Sequence, residues 1–254
     1  MVQHPRVTGF DFEGELHWLS QRGLNWLAFV PRGQGPAPVD AVSEADGSGL
    51  LIFASLGPTF GSQTDFANAT VSDPFDARSR ELVAAFQDRL CAWAPRPFEL
   101  LYPGSTPLDL RRFLEAGNVQ FRSPIGIGIR PDCGPWLAVR AASWTVLTDS
   151  ELSTLRRRYP PLRDEQNPCL SCEGTPCVST CPAGAVSAPT MAPPMPAKSL
   201  ERCLSQRLAE DSDCALACLS RSACPVGRDY RYPAAQLRYH YGVSLATIRR
   251  YRDV

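Results

Sequence analysis

Net charge is the first thing this chain lacks: 26 Lys and Arg residues balance 26 Asp and Glu. With no global field, nothing in the composition draws it to nucleic acid or to an anionic membrane. Histidine is scarce, only His4, His17 and His240, so a histidine-based metal site or a catalytic triad finds little support. No apolar run approaches the ~20 residues that span a bilayer, which argues against membrane insertion. The N-terminal MVQHPRVTGFDFEGE has no apolar core of the kind a secretory signal needs. A reducing, cytoplasmic setting is therefore expected. Lysine is nearly absent, Lys198 being the only one; this bias toward arginine supports no functional conclusion.

Cysteine, by contrast, is plentiful, and eight of the ten fall between Cys169 and Cys224. The first four read Cys169-x2-Cys172-x4-Cys177-x3-Cys181-Pro182. A tight cluster closed by Cys-x3-Cys-Pro is a signature of iron–sulfur ligation, and in two-cluster ferredoxins the Cys before Pro serves the other cluster. One motif thus predicts a second. Cys203, Cys214, Cys218 and Cys224-Pro225 supply it, at the less usual spacing Cys-x10-Cys-x3-Cys-x5-Cys. Interleaving assigns Cys169, Cys172, Cys177 and Cys224 to one [4Fe–4S] cluster, and Cys203, Cys214, Cys218 and Cys181 to the other. Structural zinc is a rival, because all-thiolate sites with two-residue spacing are common, although they do not need the interleaved Cys-Pro. A disulfide framework also uses an even cysteine count, but it suits secretion better than a reducing cytoplasm.

The expected fold class is α+β: a sheet domain over 1–162, a small ferredoxin-like module with two [4Fe–4S] clusters over 163–233, and a helical tail over 234–254. Short apolar runs at 25–30, 49–55 and 97–102, bounded by Gly or Pro, suit buried strands. Asp73-Pro74 opens a helix carrying Leu82, Val83, Phe86 and Leu90 at helical spacing. Cys91 falls in the same pattern and reads as core. A second helix is expected over 108–115, ending at Gly117, and a third from Asp149-Ser150 to Pro160-Pro161. The proline-rich stretch 188–197 is a semi-rigid spacer between the cysteine motifs. Two closing helices are expected over 234–241 and 244–252, parted by Gly242, with Ser244 as a cap. From Arg228 onward six arginines stand against two aspartates, which fits a solvated helix face or a docking patch for an acidic electron donor.

Upstream of the module, 123–130 and 136–144 are two β-rich runs joined by Pro131-Asp-Cys-Gly-Pro135, which reads as a hairpin. Gly126 and Gly128 alternate with Ile125, Ile127 and Ile129, stripping one strand face of side chains. Glycine there marks close approach by a backbone or a ligand, or tight packing against a helix. The segment Ile129-Arg-Pro-Asp-Cys-Gly-Pro-Trp-Leu-Ala-Val-Arg140 resembles the His-Pro-x-x-Gly-x-Trp-x-x-x-Arg segment of CblC-type cobalamin-processing proteins. Joined to a double cysteine motif, it is similar to epoxyqueuosine reductase and the corrinoid reductive dehalogenases, over the hairpin and the module. The resemblance implies a nitroreductase- or flavin-reductase-like sheet domain holding a corrinoid (cobalamin) that the clusters reduce. It would place Arg130, Cys133, Gly134 and Trp136 at the cofactor. Arg130 stands where the family carries histidine, so any contact through imidazole is lost. A guanidinium can instead pair with a corrin amide or a phosphate, or face solvent at a strand end. Cys133 is either a soft ligand for cobalt or a buried free thiol.

The expected function is single-electron transfer from two [4Fe–4S] clusters, charged by an external donor such as a flavodoxin, ferredoxin or reductase, to a cofactor in the sheet domain. A corrinoid-dependent oxidoreductase would be one such protein. The alternatives are a non-catalytic electron carrier with a docking domain and a zinc-stabilised interaction module. No catalytic residue is assigned; Asp132, in the hairpin turn, is the only candidate acid or base, and a turn aspartate is usually structural.

Overall fold

The apolar runs become strands and the capped, periodic segments become helices. The computed structural model of the chain describes residues 10–36, 47–187 and 197–252, so most of the expected proline-rich spacer lies outside the described residues. In chain order the upstream elements are α1 (Phe12–Gln21), β1 (Trp26–Pro31), β2 (Ser48–Leu56), α2 (Thr59–Ser62), α3 (Pro74–Trp93), β3 (Phe98–Tyr102) and α4 (Leu110–Ala116). Then come β4 (Phe121–Arg122), β5 (Gly128–Ile129), β6 (Leu137–Val146) and α5 (Asp149–Arg158). The cysteine-rich part adds α6 (Pro176–Ser179), α7 (Ala197–Leu208), α8 (Leu219–Ser222) and the long closing helix α9 (Ala234–Arg252). The class is mixed α+β.

Four strands form an antiparallel sheet in the order β1-β2-β6-β3. Nearly every residue of β2 is buried, not every second one, which marks a strand covered on both faces. Phe86 of α3 meets Phe53 of β2 edge-on at 5.6 Å. Leu82, Val83 and Leu90 bury along the same helix face, as their spacing predicts. Asp73 accepts from the Asp76 N–H at 3.2 Å and Pro74 opens the helix. Thr148 and Glu151 form a capping box at α5. Glu151 also accepts from Arg96 Nη1 at 2.7 Å, with both side chains only 8% exposed. That pair joins the approach to β3, the end of β6 and the start of α5, since Arg96 Nη1 also donates to the Val146 carbonyl.

Two expectations are corrected. The runs 123–130 and 136–144 do not pair as a hairpin: β6 joins the main sheet, while β5 pairs with β4 in a separate two-stranded ribbon. A single bridge, Arg130 to Gly134, closes the turn itself and does not reach the second run. The bare face at Gly128 is filled by the side-chain amide of Gln120, which a Cβ there would strike, so the close approach comes from neither a ligand nor a helix. Second, Gly242 does not divide the tail. Glycine inside a helix costs about 1 kcal/mol relative to alanine, and cross-helix contacts offset it. Arg207 of α7 donates to the Tyr241 carbonyl and to Ser244 Oγ, both at 3.0 Å. The expected cap residue thus receives a tertiary bond inside a continuous helix. Among the described residues no helix is long and apolar enough to cross a membrane.

Candidate functional site

The eight clustered cysteines are free thiols, held by tight turns and short helices. Asn167 starts the first motif: its Oδ1 accepts from the Cys169 N–H at 3.0 Å, and its Nδ2 donates to the Arg122 carbonyl at 2.9 Å. The motif is thereby anchored to β4. Between Cys172 and Cys177 the chain reverses through Thr175 at φ 37°, a left-handed conformation rare for a β-branched residue. Pro176 then opens α6 and presents Cys177. Cys224 arrives from the other end of the module, just past α8, where it is buried. Cys169, Cys172, Cys177 and Cys224 together line a small cleft, partly open to solvent, against the apolar Ile129, Pro225 and Val226.

Electrostatics divide the thiols in the same way. Burial first, then the neighbouring Cys224, Cys177 and Cys172, push the Cys169 thiol up to about 12. Cys177 is raised by burial, Cys172 and Cys224, and Cys224 by burial and Cys172. In the other group Cys203 is raised by burial and by Cys218, Cys181 and Cys214, partly offset by Arg207. Cys214 is raised by burial, Cys218 and Cys181. Cys181 differs: burial raises it, but hydrogen bonds from Ala185, Val186 and Ser220 outweigh that and hold it below its usual range. The Ala185 N–H donates to Cys181 Sγ and the Arg221 N–H to Cys218 Sγ, each at 3.4 Å. By these electrostatic neighbours Cys169 falls with Cys172, Cys177 and Cys224, and Cys203 with Cys181, Cys214 and Cys218.

Cys169, Cys177 and Cys224, each pushed up by burial and by neighbouring thiols, form with Cys172 a cluster that a cationic centre would stabilise, because coordination deprotonates the thiol outright. Among the described residues no three His, Cys, Asp or Glu side chains converge closely enough to hold a single metal ion. A tetrahedral zinc site would bring its sulfurs to about 2.3 Å from one point. The first group instead surrounds a space. Its four thiol donors are a set that both an iron–sulfur cluster and zinc accept.

The four residues implicated at a corrinoid form a seam between the sheet and the cysteine-rich module. Arg130 is 3% exposed, neither facing solvent nor free for a ligand. Its Nε and Nη2 bind Asp132 bidentately at 2.9 Å, its Nη1 donates to the Val119 carbonyl at 2.6 Å, and its guanidinium lies 4.6 Å from the Trp26 ring. Asp132, the candidate acid or base, is held below the usual carboxylate range: burial opposes this, but Arg130 and the Cys133 N–H prevail. Cys133 is fully buried, and burial followed by Asp132 pushes its thiol up to about 12. Gly134, at φ 61°, lies so close to the Val226 carbonyl that a Cβ would overlap it, and Gly227, at φ 68°, packs likewise on Cys133. Trp136 is fully buried and meets Tyr232 edge-on at 5.3 Å. Cys91 is only half-buried, its Sγ directed at the Arg96 carbonyl.

The sequence reading missed the other half of that seam. Arg221, three residues past Cys218, donates from Nε and Nη2 to the Pro135 carbonyl at 3.2 and 2.8 Å. Its guanidinium stacks 4.3 Å from the Trp136 ring. The available signal was Gly227 shortly after Cys224-Pro225, since a glycine in a left-handed turn permits a close backbone approach. Comparison of the chain with protein-family models, curated proteins and solved structures finds no match.

Proposed function

We propose that this protein is an iron–sulfur electron-transfer protein with two [4Fe–4S] clusters. Cys169, Cys172, Cys177 and Cys224 would hold one, and Cys181, Cys203, Cys214 and Cys218 the other. The observation that carries the proposal is the partition of eight thiols into two groups of four across interleaved motifs, one group lining a shared cleft. Bound there, such clusters supply single-electron transfer at potentials set by burial and by N–H donors to sulfur. The chain's own part is to bury the thiols, to aim the Ala185 and Arg221 N–H groups at Cys181 and Cys218, and to fix the module to the sheet through Arg221. A ferredoxin-like module on a nitroreductase- or flavin-reductase-like sheet belongs to the same proposal, with an external donor supplying electrons.

A corrinoid does not fit the four residues that the resemblance implicated. Arg130 is engaged on three nitrogens, Cys133 is buried as a thiol, and Gly134 and Trp136 pack against the module. This seam favours the carrier with a docking domain over a corrinoid reductase. Anaerobically purified protein should hold about eight iron and eight sulfide per chain, from two four-iron clusters. Cob(III)alamin should leave its visible spectrum unchanged. Stoichiometric zinc in place of iron would sink the proposal, and a corrinoid spectral shift would restore the reductase.

A further inference from the structure

Among the described residues the orphaned polar atoms gather largely in one place. Trp136 Nε1, Arg140 Nη2, Tyr232 OH, His240 Nε2 and both amide atoms of Gln236 are buried without a hydrogen-bond partner. Trp136, Arg140, Tyr232 and Gln236 are 0%, 8%, 6% and 1% exposed. The five residues come from two distant segments, at β6 and at α9, yet share one neighbourhood. Trp136 meets Tyr232 at 5.3 Å, Tyr232 meets His240 at 6.1 Å, and His240 meets Phe75 at 4.4 Å. The Arg140 guanidinium lies 4.9 Å from that same Phe75 ring and 5.0 Å from Phe60. Gln236 closes the group against Gly61, beside Phe60.

A buried orphan costs about 1–3 kcal/mol, and native proteins carry few. Six orphaned atoms in one neighbourhood are a shortfall of partners that a bound molecule would supply. Its chemistry follows from the atoms. Arg140, Trp136, Tyr232 and the Gln236 amide nitrogen all donate. Among the described residues, Arg140 donates from Nε to Ser55 Oγ at 2.9 Å, while its Nη2 has no partner. A second guanidinium, Arg221, stands 5.1 Å from the Tyr232 ring. The carboxylate that acts on Arg140 is Asp76, whose own charge is disfavoured by burial and by Asp73. His240 is held neutral there, by burial and then by Arg140 and Arg221. The surplus is of donors and positive charge.

We infer that these residues, between β6, the start of α3 and the closing helix α9, enclose a chamber that binds the oxyanion group (carboxylate or phosphate) of a small polar molecule. Arg140 forms the charged contact, and Trp136, Tyr232, Gln236 and His240 surround it. The inference goes beyond electron transfer and stands without the clusters, since none of the five residues belongs to either thiol group. Because Tyr232, Gln236 and His240 are C-terminal while Trp136 and Arg140 belong to the sheet side, an occupant would also tie α9 to the sheet.

Thermal unfolding of the full-length protein, titrated with inorganic phosphate or with acetate against chloride at equal ionic strength, tests it. At least one oxyanion should raise Tm saturably by about 5 °C. Arg140→Gln should weaken that affinity about tenfold or more. Gln236→Leu removes two orphans, so it should unfold no earlier than wild type without ligand while losing most of the shift. It keeps the test decisive if the arginine variant fails to fold. No saturable shift with either anion, or an equal shift in wild type and Gln236→Leu, overturns the inference. Phosphate alone or acetate alone shifting Tm would identify which oxyanion the chamber takes.

Discussion

The sheet half and the cysteine-rich half of this protein hold together by different means. In the sheet half one apolar cluster runs from Phe12 to Tyr159 and includes Leu50, Leu51, Ile52, Phe53 and Phe86 at 0% exposure. Among the described residues beyond 163, the buried apolar side chains reduce to Ala185, Val186, Cys224, Tyr232 and Leu245. Tyr232 faces back toward the sheet side. A segment with so little core gains its stability from cross-links or metal rather than from apolar burial. One half is thus a self-sufficient scaffold. On the proposed reading the other is a ligand frame, tied down by Arg221, Trp136 and the Gly134–Gly227 approach.

The largest effect that distinguishes the halves should come from removing iron. Under a strong chelator, hydrogen exchange across 163–233 should speed up by a factor corresponding to about 4 kcal/mol or more, while β2 and β6 keep their protection. Equal loss in both halves would break the comparison. Within the sheet half, Glu151→Ala leaves the Arg96 guanidinium buried and unpaired and removes the capping box. It should lower stability in urea by about 3 kcal/mol without altering bound iron. At the seam, Gly227→Ala places a Cβ against the Cys133 carbonyl at a left-handed φ of 68°. A loss of about 2 kcal/mol is expected, seen as faster proteolytic separation of the two halves.

The smallest effect is a pH dependence at their junction. Burial, with Arg140 and Arg221, depresses His240 from 6.5 to about 4. Below 6.5 the unfolded chain takes up a proton that the folded protein refuses. Stability is therefore lost as pH falls from about 6.5 toward 4, and the loss levels off below that. At this partly exposed site the change should be on the order of 1 kcal/mol. Comparing urea midpoints of wild type and His240→Asn across that window isolates it; identical slopes would remove His240 from the account.

What was legible in the sequence was what depends on local spacing. Strand runs and the Asp73-Pro74 helix start follow from neighbours a few residues apart, and they emerge in the structure. The partner of each strand did not. The five turn residues from Pro131 to Pro135 look like a hairpin connection, but β6 has longer partners in β2 and β3, and the sheet claims it. Gly242 read as a helix break because the Arg207 contacts that hold the helix come from residues more than thirty positions away. The seam and the chamber are likewise assembled from distant segments. Gln236 and His240, at i and i+4 on one helix face, were the one local trace of the chamber, and helical spacing of polar residues ordinarily reads as a wet surface.

Iron analysis of two double variants tests the central claim most directly. If the thiols divide as described, Cys169→Ala with Cys224→Ala disables one site and should leave about four iron per chain, from the surviving cluster. Cys169→Ala with Cys203→Ala disables both and should leave almost none. Equal iron in the two double variants, or wild-type protein that takes up zinc and no iron, would contradict the account.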